Sequence, residues 1–267
     1  MTAEEFAETI LNRILEVGQQ QAEPATERMS QITAEVLRYY HRILRTKLET
    51  KIKRVVQYGP FADMQCATSA VLPKLIGSYE AELHETIQQL SRRGYERVIN
   101  IGCGEGYYAV GLARLLPAAR VFALDSDSAA QDGCRALAEL NGVAERITVM
   151  GQCTPAVLQE LVRPGALIFC DCEGDELQLL DPVAIPELLL CDIVVEMHDF
   201  LTSNTSNTIV DRFRPTHNTR VIAQSSRDPA DYPVLESLNE FERLFALCEF
   251  RPGPTPWGLF LANKPAS

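Results

Sequence analysis

A glycine-punctuated turn between two apolar runs constrains this chain more than any other stretch. Val98-Ile-Asn-Ile101 is short and β-prone, suited to a buried parallel strand. Gly102, Cys103, Gly104, Glu105 and Gly106 then make a tight turn, and Tyr107–Leu115 has helical spacing. Such a unit leaves the N–H groups of a helix N-terminus open to a ligand, and glycine lets the ligand come close to the backbone. The spacing is G-x-G-x-G, unlike the G-x-G-x-x-G of a dinucleotide site that receives a pyrophosphate. A second apolar run, Val121-Phe-Ala-Leu-Asp125, ends in an acid about 20 residues past the turn, where a second strand would offer a carboxylate to ribose hydroxyls.

Together these residues resemble motif I and the following acid of the class I S-adenosylmethionine (SAM)-dependent methyltransferases. The resemblance implies a seven-stranded, doubly wound Rossmann-like sheet of order 3-2-1-4-5-7-6, with strand seven antiparallel. It also implies SAM as cofactor, held by Gly102, Cys103, Gly104, Gly106 and Asp125, with Ser126 beside the acid. SAM carries no pyrophosphate. Its carboxylate suits backbone N–H groups, and its ammonium and sulfonium suit acids and carbonyls. After strand three, Gln152 and Cys153 stand where many relatives place an acid on the adenine amino group. The Gln152 amide oxygen can accept that hydrogen bond without charge.

The rest of the chain alternates strand and helix as a doubly wound sheet should. Strands are expected at 97–101, 120–124, 146–150, 166–171, 192–196, 220–223 and 257–262. Helices are expected at 107–115, 128–140, 155–162 and 236–247, with another after a cap at Ser203 or Asn204. Before this core lie two amphipathic segments, 2–22 and 26–56. In the second, Leu37, Tyr40, Leu44, Leu48, Ile52 and Val55 form one apolar face and a basic face spans 42–54. Residues 57–80 are irregular and suit a lid, and 79–93 reads as a helix. The expected division is a helical extension with lid or linker at 1–78 and a methyltransferase domain at 79–267. The extension is expected to cover the core or form a homodimer.

A formal net charge of −11 argues against nucleic acid as a partner. No apolar run is long enough to span a membrane, and the acidic N-terminus is unlike a signal peptide. Eight cysteines without a C-x-x-C pair read as small packed apolar residues in a reducing, cytoplasmic setting.

The densest polar cluster falls at the expected ends of strands four and five. There Asp171, Glu173, Glu196, His198 and Asp199 would converge, because open α/β sheets bind ligands at the carboxyl ends of their strands. The Asp171-Cys-Glu-Gly174 block, Val195-Glu-Met-His-Asp199, Gly77-Ser-Tyr-Glu80 and Glu249-Phe-Arg-Pro252 are similar to the FkbM-like methyltransferases. That resemblance implies O-methylation of a small molecule or a sugar or natural-product precursor. Glu173 and His198, with Glu196 and Asp171, are the expected catalytic groups. One of Glu173 and His198 would be the base and the other its orienting or electrostatic partner. Tyr79 and Glu80 would close the site or hold the methionine ammonium. No metal is expected, although Asp171, Glu173, Glu196 and His198 have the chemistry to bind a hard cation. N-methylation, or a SAM-binding module without catalysis, are the alternatives.

Overall fold

The computed structural model describes residues 2–20, 23–66, 70–251 and 253–263. Residues 21–22 of the expected first helix, 67–69 of the expected lid, and Pro252 lie outside the described residues. The chain opens with α1 (Ala3–Gln19), capped by Thr2 and Glu5 in a capping box. Next comes α2 (Ala25–Ile52), which stops at Ile52 and not at 56 because Lys53 turns left-handed. The stretch expected to be irregular contains a short helix, α3 (Leu72–Ile76), closed by Gly77 in the left-handed region. Left-handed backbone at Glu80 also keeps the next helix, α4 (His84–Ser91), from reaching back to 79.

The core follows as β1 (Arg97–Ile101), α5 (Tyr107–Leu115), β2 (Arg120–Leu124), α6 (Ser128–Leu140), β3 (Ile147–Met150), α7 (Pro155–Leu161) and β4 (Leu167–Cys170). It continues as α8 (Glu176–Leu179), β5 (Asp192–Glu196), α9 (Thr205–Phe213), β6 (His217–Ile222), α10 (Glu240–Ala246) and β7 (Trp257–Ala262). The strands form one seven-stranded sheet of order β3-β2-β1-β4-β5-β7-β6. β1 to β5 pair in parallel, and β7 runs antiparallel between β5 and β6. The larger departures from the expected bounds are in β6 and α10. β6 begins three residues earlier, with polar residues in an edge strand. α10 is shorter, because Asn239 and Glu242 form its capping box only after two 3₁₀ turns.

Successive strand residues face opposite ways, and the sheet separates two apolar layers accordingly. Val98, Val121, Leu167, Phe169 and Val194 face α4, α5, α6 and, beyond them, Leu44, Leu48 and Ile52 of α2. Ile99, Ile101, Ile168, Ile193 and Val195 face α7, α8 and α9. α2 thus joins the same core as the sheet, while α1 packs on α2 and Leu11, Leu15 and Met29 remain exposed. No helix among the described residues is long and apolar enough to cross a membrane.

One buried carboxylate fastens the start of β5. The Asp192 side chain accepts from the Ala262 backbone N–H at 2.8 Å, from Arg93 Nε at 2.8 Å and from the Tyr95 hydroxyl. Removing it strands three donors at the far end of the sheet from the glycine turn. Asp192→Ala is expected to cost about 3 kcal/mol or more. Urea unfolding would register this as a lower midpoint at unchanged slope, and an unmoved midpoint would show the clasp to be dispensable.

Candidate active site

The glycine turn is built by close approach to β4. Gly102 has φ +73°, and a Cβ there would lie 1.5 Å from the Asp171 carbonyl oxygen. The turn is tied to β2, since the N–H groups of Gly102 and Cys103 both donate to the Leu124 carbonyl at 2.8 and 3.0 Å. Asp125 accepts from the Gly104 N–H at 2.8 Å and from the Asp127 N–H at 2.9 Å, so its carboxylate is fixed at the rim of the turn. A cleft of about 310 Å³ opens there, lined by Gly102, Gly104, Asp125, Ser126, Gln152 and Cys153, with Asp171 and Glu173 opposite.

Other expected cofactor residues stand elsewhere. Cys103 is buried and, like Gly106, packs beside Cys134. A Cβ on Gly106 would come within 2.9 Å of the Cys134 Sγ, so Gly106 sets how α5 and α6 pack. Tyr79 and Glu80 do not line the cleft. Tyr79 packs edge-on to Tyr107 at the head of α5, and Lys74 sits over both rings while pairing with Glu105 at 2.6 Å. Burial opposes ionisation of Glu105, yet Lys74 holds it below the ordinary carboxylate range.

The strand-end cluster does assemble, around His198, which is 2% exposed. Its Nε2 faces Glu196 at 3.4 Å, Glu173 at 3.5 Å and Asp171 at 3.7 Å, and its Nδ1 lies 2.6 Å from Glu176 Oε1. Burial alone would lower its pKa, but hydrogen bonds to Glu176 and Glu196 outweigh that and push it up to about 10. His198 is therefore an imidazolium at neutral pH. Asp171 is raised as well, which in a carboxyl favours the neutral form. Burial, then Glu196 and Glu80, raise it well above the usual range, and its Oδ1 has no hydrogen-bond partner. Glu173 is the most exposed of the set and sits on left-handed backbone at φ +54°.

Asp199 is not in this cluster. It accepts from the Ser206 N–H at 3.0 Å and so caps α9, a role the sequence reading gave to Ser203 or Asn204. Glu176, fully buried, carried no role in the sequence reading. Its only signal was membership of the acid-rich run after β4.

Behind the cluster, two arginines gather four glutamates. Arg251 meets Glu249 at 2.9 Å, Glu196 at 3.0 Å, Glu80 at 3.2 Å and Glu82 at 3.3 Å. Arg227 meets Glu82 at 2.6 Å and Glu249 at 2.7 Å. Four carboxylates against two guanidiniums favour retaining a proton. Glu80 is completely buried, is crowded by Glu196, and accepts from the Tyr108 hydroxyl. Burial above all raises its pKa to about 8.

The family model of ribosomal protein L11 methyltransferase (PrmA) matches residues 83–170, about a third of the chain. No curated protein matches significantly. Among solved structures, a precorrin-6y C5,15-methyltransferase from Geobacter metallireducens is similar at 15% identity and TM-score 0.50, covering 78% of this chain and all of that one. The O-methyltransferase TomG from Streptomyces achromogenes, in complex with SAM, is 15% identical at TM-score 0.49 over 85% of this chain and 89% of its own. An O-methyltransferase from Bacillus cereus, in complex with SAH, is 17% identical at TM-score 0.46 over 67% and 80%. Strand order and the matched segment identify a SAM-dependent methyltransferase core with S-adenosylmethionine as its cofactor.

Two raised pKa values fix the sign of a pH dependence. Glu80 moves from 4.5 to about 8 and His198 from 6.5 to about 10. Each contributes stability that is complete below its ordinary value and is lost as pH climbs through the raised one. Denaturant unfolding is expected to show stability falling from about pH 4.5 to about pH 10, with Glu80→Gln flattening the part of that decline below about pH 8. Stability that rises across this interval would mean that neither group holds its proton in the fold.

Proposed function

We propose that the protein is an FkbM-like, SAM-dependent O-methyltransferase that methylates a hydroxyl of a small molecule or a sugar or natural-product precursor. The observation that carries the reading is the His198 cluster beside the cofactor cleft, with Asp171 and Glu173 belonging to both. In an in-line displacement the acceptor oxygen bonds to the methyl carbon as the carbon–sulfur bond breaks. Positioning supplies much of the rate. The hydroxyl proton has to leave, and the carboxylates facing His198 Nε2 are its acceptors. His198, as a cation, stabilises the negative charge that develops on the oxygen. This assigns the sequence reading's two roles: base to the carboxylate side, electrostatic partner to His198.

The variants Glu173→Gln and His198→Asn test this. Each is expected to lower turnover by about 10²–10⁴-fold, with S-adenosylhomocysteine affinity by calorimetry nearly unchanged. The double variant should lose less than the product of the two. Normal turnover in both would remove the cluster from the chemistry and favour an acceptor that needs no base, such as an amine.

A second reading has its own observation. One donor atom each from Asp171, Glu196 and His198 lies within 4.8 Å of the others. Glu176 on Nδ1 resembles the partner that orients a metal-bound histidine. Binding there would require neutral His198, so calorimetric Mg²⁺ or Mn²⁺ titration with proton release would establish it.

The exposed Leu11, Leu15 and Met29 on the N-terminal helices motivate the further proposal of a homodimer. Light scattering of Leu15→Glu against the parent protein is expected to show half the mass, and a parent that is already monomeric would end that idea.

A further inference from the structure

A second cavity lies apart from the cofactor cleft. This chamber of about 760 Å³ lies between α2, α3 and the segment at 248–250. Its walls are apolar, from Leu37, Ile52, Leu72, Leu75 and Phe250, and Tyr79 belongs to its lining. Arg42, Arg45, Lys53 and Arg54 also line it, against the acids Glu49 and Glu249. This cationic group is notable in a chain of net charge −11.

Several of the basic residues expected on the 42–54 face are used internally. Lys47 pairs with Glu242, Lys51 donates to the Ser237 hydroxyl at 3.0 Å, and Arg42 lies over the Phe6 ring. Arg45 and Arg54 are different. Arg45 donates to the Ala70 carbonyl at 3.2 Å, and among the described residues neither Arg45 nor Arg54 has a carboxylate partner within 4 Å. Burial, and then the charge of Arg54, work against the Arg45 cation. Two neighbouring cations on an apolar chamber are what an anion with an apolar body would complement.

Tyr79 in the chamber's lining packs on Tyr107 and Tyr108, and its phenol is held well above its ordinary pKa by burial and then by Glu80, Asp171 and Glu196. Through Tyr108, whose hydroxyl donates to Glu80 in the Arg251 network, the tyrosine lies between the chamber and the acid cluster.

We propose that this chamber binds the methyl acceptor, and that the acceptor is a small amphipathic anion. Its apolar body lies against Leu37, Leu72 and Phe250, its acidic group lies at Arg45 and Arg54, and its hydroxyl points past Tyr79. The proposal rests on the methyltransferase reading for the word acceptor. The chamber and its ligand class stand on their own.

The probe is 8-anilinonaphthalene-1-sulfonate, with uncharged N-phenyl-1-naphthylamine as its comparison. The sulfonate is expected to bind the intact protein and to stay bound at saturating S-adenosylhomocysteine. Arg45→Gln with Arg54→Gln should weaken it about tenfold or more, as expected for lost charge-assisted hydrogen bonds, and leave the uncharged probe unchanged. Val71→Trp, at an exposed lining position, should weaken both probes. Unfolding midpoints of the variants establish that they remain folded. Equal sulfonate binding by parent and double variant, displacement by S-adenosylhomocysteine, or no binding at all would overturn the proposal. Methyl transfer from labelled SAM should favour hydroxyaryl carboxylic acids over their methyl esters, and a ranking that favours the esters would also overturn it. A protein that binds the sulfonate as described but not S-adenosylhomocysteine would refute the methyltransferase reading and leave the chamber's ligand class intact.

Discussion

The guanidinium of Arg251 holds this site together. Glu80, Glu82, Glu196 and Glu249 come from three separated parts of the chain, and all four converge on it inside the protein. Without a cation there, burying so many carboxylates would be prohibitive. Arg227 shares the load at Glu82 and Glu249, and its Nε–H donates to the Ser78 carbonyl at 2.9 Å. The consequence is mechanical as well as electrostatic. The turn at 77–80, the end of β5 and the segment before β7 are fixed to one another, and with them the cluster on the far side of Glu196.

Much of this was legible in the sequence, because the strands advertise themselves. Val98–Ile101, Leu167–Cys170 and Asp192–Glu196 are nearly continuous apolar runs, as strands buried on both faces must be, and the glycine turn could sit only after the first. Asp125, Ser126, Gln152 and Cys153 are placed by strand order alone, so they reach the cleft once the order is right. The polar network was harder to read. Arg251 and Glu249 stood in a recognised block, but nothing along the chain says that an arginine at 251 will face a glutamate at 80. The cap on α9 was misread for a related reason. Asn204 looks like a cap in sequence, yet its left-handed backbone leaves Asp199 to accept from the helix N–H.

The state of His198 was also beyond the sequence. A histidine near strand-end acids suggests a base by its ordinary pKa, and composition cannot say how many carboxylates will surround it. Four do, one of them Glu176 on the other ring nitrogen, so the ring is a cation and not an acceptor of protons. The same contacts explain why Asp171 is raised while Glu196 is lowered. Burial penalises charge on both, but His198, Asp171, Thr255 and Arg251 all hydrogen-bond to or face Glu196, whereas Asp171 meets mostly other acids.

That division of charge suits transfer from a sulfonium. The methyl donor is a cation that becomes neutral as its carbon–sulfur bond breaks, and the acceptor hydroxyl turns acidic as it takes on the methyl. A site made only of carboxylates would hold the sulfonium too well and resist its neutralisation, since only interactions stronger in the transition state than in the ground state raise the rate. With His198 and Arg251 charged, the nearby acids are largely compensated before the cofactor arrives. Asp171, the member least compensated, is the one that borders both the cleft and the histidine. Burial and the neighbouring acids favour the neutral form of Asp171, so it adds less negative charge to this border than an ordinary aspartate would.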